Sequence, residues 1–179
     1  RVDNASHSSQ ICGTQYLRLS RKGMKGIAMF TLPYRTLMHY KRWAANGLNS
    51  VIADNLDRLG PDDRILVLRL LDHIQTVDEI FGDNLEGRPH GRRAPRSFEL
   101  PEFETLARKA IVTAEWYVSY ADMLTHAQRD ETIDFTFSNG SPGRMTRGDM
   151  LLHVATHGTY HRGNIGILLQ KNGVEPNAD

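Results

Sequence analysis

Three histidines recur at intervals of four residues in the segment HVATHGTYHRG, residues 153–163. On an α-helix, a step of four residues rises about 6 Å, so His153, His157 and His161 share one face of the helix. His153 and His161 are then about 12 Å apart, too far for both to reach one ion through metal–nitrogen bonds of about 2.0–2.1 Å. One ion can therefore bind one adjacent pair, either 153 with 157 or 157 with 161.

Such a pair needs a further ligand from another helix. His73 is the best candidate, because it lies on the apolar stripe of the second predicted helix. The competing interpretation is that these histidines are only packed in the core, where each ring would need its own hydrogen-bond partner. A zinc-protease mechanism is excluded, because Gly158 stands where that motif places its glutamate general base.

The composition limits the possible function classes. The chain has 179 residues, a formal net charge of +1 and one cysteine. The balanced charge argues against a nucleic-acid partner, and no apolar run of about 18 residues indicates a membrane span. A single cysteine excludes an internal disulfide and favours a cytoplasmic location. The most basic segment, GRPHGRRAPR (residues 87–96), is interpreted as a solvated loop in preference to an anion site.

Apolar residues at helical spacing predict four long helices, at about residues 33–59, 62–84, 101–128 and 147–171. We expect Asp62 to cap the second helix, whose apolar stripe starts at Leu66. Thr146 and Asp149 have the spacing of a capping box at the start of the fourth helix. The first two helices are joined by a few residues, so they are expected to be antiparallel neighbours.

The other two connections are long. Residues 85–100 form an irregular Arg- and Pro-rich loop, whereas in residues 131–145 apolar alternation is followed by the turn signal Asn139-Gly140. The fold class is therefore predicted as all-α, a four-helix bundle with long crossover connections and a small β-hairpin before the last helix. Residues 1–28 are predicted to be a flexible or expression-derived extension, and residues 29–179 a single domain.

Three segments resemble motifs of the DinB/YfiT-like family of bacterial metal-binding four-helix bundles. HVATHGTYHRGNIGILLQKNGV (153–174) is similar to the C-terminal motif of the family, and LLDHIQTVDEIF (70–81) resembles its second-helix motif. YKRWAANGL (40–48) resembles the first-helix signature, with one extra alanine between Trp43 and Asn46. The resemblance covers about residues 29–174.

The resemblance implies that His73, His157 and His161 are the metal ligands and that His153 is a neighbour of the site. It implies a divalent transition metal as cofactor, and imidazole ligands suit zinc or nickel. The expected function is that of a metal-dependent enzyme acting on a small molecule by thiol S-transfer or hydrolysis. The alternative is a non-catalytic, stress-associated metal-binding bundle.

No catalytic side chain is assigned from the sequence. Asp72, Tyr160 and Arg162 adjoin the candidate ligands and are interpreted as exposed or ion-paired residues. The expected partners are a small-molecule substrate or thiol and a second copy of the chain in a homodimer. Neither a nucleic acid nor a membrane is expected.

Overall fold

The computed structural model describes residues 33–177. This part of the chain contains α1 (Pro33–Asn55), α2 (Pro61–Leu85), α3 (Phe103–Met123), α4 (His126–Arg129), β1 (Thr132–Thr136), β2 (Pro142–Thr146) and α5 (Arg147–Lys171). A short 3₁₀ turn, Leu56–Arg58, links α1 to α2. A mostly helical structure with a hairpin before the last helix is confirmed. The predicted extension, residues 1–28, lies outside the described residues.

The four long helices pack in a non-sequential order. α1 lies against α3 and α5, and α2 lies against the same two helices. The helices α1 and α2 share few backbone contacts, so the prediction that they pack as direct neighbours is wrong. The long connections before α3 and α5 allow these two helices to lie between the first two. No helix of the described residues is long and apolar enough to cross a membrane.

The apolar core consists of two clusters of buried side chains. One cluster is centred on Met38, Phe81, Tyr117 and Met150. The other is centred on Ile52, Val67, Leu106 and Ile165. Along α1 and α5, the buried residues Lys41 and Arg162 fall between members of the two clusters. Polar side chains therefore separate the two apolar clusters at the level where the candidate site lies.

The start of α2 differs from the prediction. The N-cap is Gly60 and Pro61 occupies the first turn, so Asp62 does not cap the helix. Proline fits there because its fixed φ is already helical, and Asp62 complements the helix dipole within the first turn. Leu66 is 47% exposed, and its neighbour Val67 is buried instead.

The third predicted helix is interrupted. α3 ends at Met123, and Leu124 and Thr125 are extended before the single turn of α4. Thr125 and Gln128 form a capping box that starts this new turn. The local cap therefore overrides the helical spacing that continues through this segment.

The hairpin leads directly into α5. Ile133 pairs with Met145 across the two antiparallel strands, and Gly140 has the positive φ of 84° that the turn requires. The Thr146 hydroxyl accepts a hydrogen bond of 3.0 Å from the Asp149 amide in the predicted capping box. This cap fixes where α5 begins and therefore which face carries its histidines.

Candidate metal centre

His73 on α2 meets His157 and His161 on α5. One imidazole nitrogen of each residue lies within 4.8 Å of those of the other two. The Nε2 atoms of His73 and His157 are 3.0 Å apart. The ring centre of His161 is 4.7 Å from that of His73 and 4.6 Å from that of His157. The structure therefore brings the three predicted ligands together in one cluster.

The packing of α2 against α5 explains this convergence. Val154 and Ile165 lie on the same side of α5 and are completely buried, so this side of the helix faces the core. His157 and His161 lie one turn apart on that face, where residues at i and i+4 are neighbours. His73 lies one turn before the buried Val77 on α2 and points to the same place.

The orientation of His73 is fixed by a backbone carbonyl. Its Nδ1 lies 2.7 Å from the carbonyl oxygen of Pro95. A carbonyl oxygen only accepts hydrogen bonds, so we assign the proton to Nδ1. The lone pair then lies on Nε2, the atom that faces His157. Metal-binding histidines commonly have this arrangement, in which the second ring nitrogen donates to a carbonyl or carboxylate.

The histidines on α5 are held in their neutral form. Burial, followed by the neighbouring His73 and His161, lowers the pKa of His157 from 6.5 to about 3. Burial and His73 also lower the pKa of His161. Neutral imidazole is the form that binds metal ions, so the environment favours the ligand state at neutral pH.

Two buried nitrogen atoms in the cluster have no hydrogen-bond partner. Within residues 33–177, neither Nδ1 of His157 nor Nδ1 of His161 contacts a donor or acceptor. Buried polar atoms are nearly always paired in folded proteins. The cluster is therefore not a self-sufficient hydrogen-bonded packing arrangement, which the competing interpretation required.

His153 lies outside the three-residue group. Its ring stacks on Phe81 with centres 4.4 Å apart, and it lies nearly parallel to the His157 ring at 5.7 Å. Burial lowers the pKa of His153, so this ring is also favoured as neutral. His153 therefore supports the His157 ring from one side.

Asp72 has the ion-paired role of the two predicted for it, and it is buried. It is only 2% exposed, and its carboxylate accepts a 2.8 Å hydrogen bond from the Ser97 amide. The guanidinium of Arg69 lies 4.0 Å from the same carboxylate and donates to the Ser97 carbonyl. Asp72 thus anchors the loop whose Pro95 carbonyl orients His73. The sequence had no signal for this contact, because a backbone partner leaves no residue pattern.

The other two residues beside the ligands behave differently from each other. Tyr160 is exposed, and its ring lies edge-on to His161 at 4.9 Å. Arg162 is buried, so of the two predicted roles the exposed one does not apply. Its guanidinium lies 5.6 Å from the Tyr40 ring centre and donates to the Thr159 hydroxyl.

A buried ion pair close to the histidines was missed in the sequence. Lys41 Nζ lies 2.6 Å from Asp78 Oδ2, and both side chains are almost fully buried. Burial raises the pKa of Asp78, while Lys41 opposes this shift. The charge of Lys41 also contributes to the lowered pKa of His157. The available signal was a lysine at a core position between Met38 and Ala44.

Gly158 leaves room for two buried cationic side chains to lie close to the backbone of α5. A Cβ atom at this position would lie 3.2 Å from Arg162 Nη1 and 3.4 Å from Lys41 Nζ. The contact with Arg162 is tighter than ordinary packing and the contact with Lys41 is at the lower limit of ordinary packing, so a larger residue would shift the Arg162 guanidinium. The glycine therefore provides space for buried charges and not for a general base.

Comparison with known proteins identifies the family of the chain. A family model described as the DinB family matches residues 29–179. No curated protein matches the chain. The match covers most of the chain, including the two helices that carry the three histidines. The chain belongs to the DinB family.

Proposed function

We propose that this protein binds one divalent transition-metal ion through His73, His157 and His161 and is a metal-dependent enzyme acting on a small molecule. The observation that carries the proposal is the 3.0 Å separation of the His73 and His157 Nε2 atoms. Two nitrogen atoms bound to one ion at about 2.0–2.1 Å are about 3 Å apart. The third imidazole is within reach of the same point.

The donor set suits zinc or nickel. Imidazole is a good ligand for both, whereas magnesium and calcium prefer oxygen ligands. Among the described residues, the group of potential ligands contains only the three histidines and no carboxylate. Three protein ligands leave positions for water or substrate, as in catalytic zinc sites.

The bound ion supplies a Lewis acid that lowers the pKa of a coordinated water or thiol toward neutrality. The protein favours the neutral imidazoles of His157 and His161 by lowering the pKa of each ring, and it orients His73 through the Pro95 carbonyl. The proposed reaction class is attack of a hydroxide or thiolate on a small electrophile, as hydrolysis or thiol S-transfer. No side chain of the chain is proposed as a general base.

The proposal includes a particular assembly. The packing of each long helix against two others supports a four-helix bundle formed by α1, α2, α3 and α5. The exposed apolar residues Tyr160 and Ile167 on the outer side of α5 support a homodimer. We propose a cytoplasmic location and no membrane or nucleic-acid partner, in agreement with the balanced charge of the chain.

Elemental analysis of tag-free protein, washed with a chelator and reloaded with zinc or nickel, tests the metal site. We expect about one ion per chain in the wild type and in His153→Ala, and almost none in His157→Ala. His153→Ala is the matched control, because it removes a neighbouring imidazole of the same helix face. Absence of metal from the wild type, or full retention in folded His157→Ala, would contradict the proposal.

A second experiment separates the enzyme from a non-catalytic metal-binding protein. Metal-loaded protein is incubated with low-molecular-weight thiols and a panel of small electrophiles and esters. Turnover that disappears in folded His73→Ala supports the enzyme. Metal binding without turnover across the panel contradicts the enzymatic part and leaves a metal-binding role.

A further inference from the structure

An arginine-lined pocket lies beside the loop that orients His73. Its volume is about 690 Å³, large enough for a small organic molecule. Residues of α2 and of the loop before α3 form its wall, namely Arg69, Arg92, Arg93, Ala94, Arg96, Ser97 and Phe98. This segment includes part of the sequence that we interpreted as a solvated loop.

The loop is fixed to α2 by several hydrogen bonds. Its Ser97 amide donates to Asp72, and its Ser97 carbonyl accepts from Arg69 at 3.2 Å. Arg92 forms an ion pair with Glu79 on α2. These contacts hold the backbone on both sides of Arg93, so the pocket has a defined wall.

Two arginines of the pocket lack a partner of opposite charge. Within residues 33–177, neither Arg93 nor Arg96 forms a hydrogen bond or an ion pair. The charge of Arg92 is compensated by Glu79. Several arginines elsewhere in the described chain are paired with carboxylates, among them Arg35, Arg42, Arg144 and Arg147. The pocket therefore carries about two uncompensated positive charges.

The pocket is next to the candidate metal centre. Ala94 and Arg96 line it and directly flank Pro95, whose carbonyl oxygen is 2.7 Å from Nδ1 of His73. Arg69, on the opposite wall, lies one helical turn before His73 on α2. A molecule anchored in the pocket would therefore lie beside the loop segment that contacts a metal ligand.

We propose that this pocket recognises a doubly charged oxyanion, either a phosphate monoester or a pair of carboxylates, on the small-molecule substrate. Guanidinium groups match both anions because their planar donors form paired, charge-assisted hydrogen bonds with two oxygens. Phe98, which is 99% exposed, adds an apolar surface at the rim for the carbon skeleton. The assignment as substrate rests on the proposed metal-dependent function, whereas anion binding itself does not.

Calorimetric titration of the full chain with inorganic phosphate and with succinate tests the pocket. The wild type is expected to bind at least one of the two anions, both without metal and after metal loading. Arg93→Gln/Arg96→Gln is expected to weaken this binding by about tenfold or more, since it removes both uncompensated charges. Arg108→Gln, which changes an exposed arginine on α3, should bind as the wild type does.

The two anions distinguish the chemical source. Binding of phosphate alone supports a phosphate ester, and binding of succinate alone supports a dicarboxylate. Failure of the wild type to bind either anion overturns the proposal, as does equal affinity in the double variant. Binding that requires the metal and disappears in His157→Ala would place the anion on the ion and also overturn it. Metal content, measured separately, reports on the proposed function independently.

Discussion

The Lys41–Asp78 pair and the three-histidine cluster are both polar groups between the two apolar clusters, but their atoms are satisfied differently. In the ion pair, opposite charges meet at 2.6 Å within the protein. In the cluster, three like side chains meet with two unpaired nitrogen atoms. The charges of the first group cancel within the protein, although Asp78 Oδ1 has no hydrogen-bond partner, whereas the second group joins three side chains of one kind that are suited to bind a cation.

This difference separates a structural polar group from a binding site at nearly the same place. Burial alone does not distinguish the two, because both lie inside the same set of helices. The charges of the groups do: the lysine and the aspartate carry opposite charges, whereas the three histidines are side chains of one kind. The comparison predicts that substitutions in the first group will change mainly folding stability, and substitutions in the second mainly metal binding.

The largest expected loss of stability follows from Lys41→Met. The change leaves Asp78 buried without its cation, and breaking a buried ion pair from one side costs about 3–5 kcal/mol. Chemical denaturation measures the free energy of unfolding. The double variant Lys41→Met/Asp78→Leu should recover most of that loss, because the carboxylate left without Lys41 in the single variant is removed as well. Equal destabilisation of the single and double variants would contradict the internal compensation of this pair.

A smaller effect is expected from Asp72→Ala, which removes the acceptor of the Ser97 amide. Loss of a buried, charged hydrogen-bond partner costs about 1–3 kcal/mol of unfolding free energy. Because the loop also orients His73, the affinity for zinc should fall by about 10-fold or more, as for other residues that orient metal ligands. Asp72→Asn keeps an acceptor and is the control. Wild-type zinc affinity in Asp72→Ala would show that the loop does not position His73.

A third effect is the pH dependence of the metal-free protein. The pKa of His157 is lowered to about 3 in the folded state, whereas an unfolded histidine titrates near 6.5. The unfolded state therefore binds more protons, and the contribution of His157 to stability is lost as the pH falls from about 6.5 toward 3. The unfolding free energies of wild type and His157→Gln are measured across this interval. The wild type should lose more stability, and parallel curves would contradict the shift.

The sequence contained enough information to predict the histidine cluster. Spacing on one helix excluded the joint use of His153 and His161, the apolar stripe of the second helix indicated His73, and the resemblance to a family selected His157 with His161. Local signals also predicted the hairpin and the capping box of α5, because Asn139-Gly140 and Thr146 determine the conformation of residues close to them in the sequence. These features depend on periodicity or on residues a few positions apart.

Other features depended on contacts that leave no local pattern. Lys41 and Asp78 are 37 residues apart on different helices, so nothing in either segment indicates the pair. The fold of the Arg-rich loop depends on hydrogen bonds between α2 side chains and the backbone of Pro95 and Ser97. Backbone groups are the same for every residue type, so the sequence alone cannot show where the loop folds back.

The hydrogen bond from His73 to Pro95 also makes the loop and the metal site thermodynamically dependent on each other. Whatever holds the loop in this conformation also holds Nε2 of His73 in the position that faces His157. Consider a molecule that binds the loop and thereby increases the affinity for the metal. Linkage requires that the metal increase the affinity for that molecule by the same factor. If the two proposed sites bind their ligands, this backbone carbonyl connects them and their binding is cooperative.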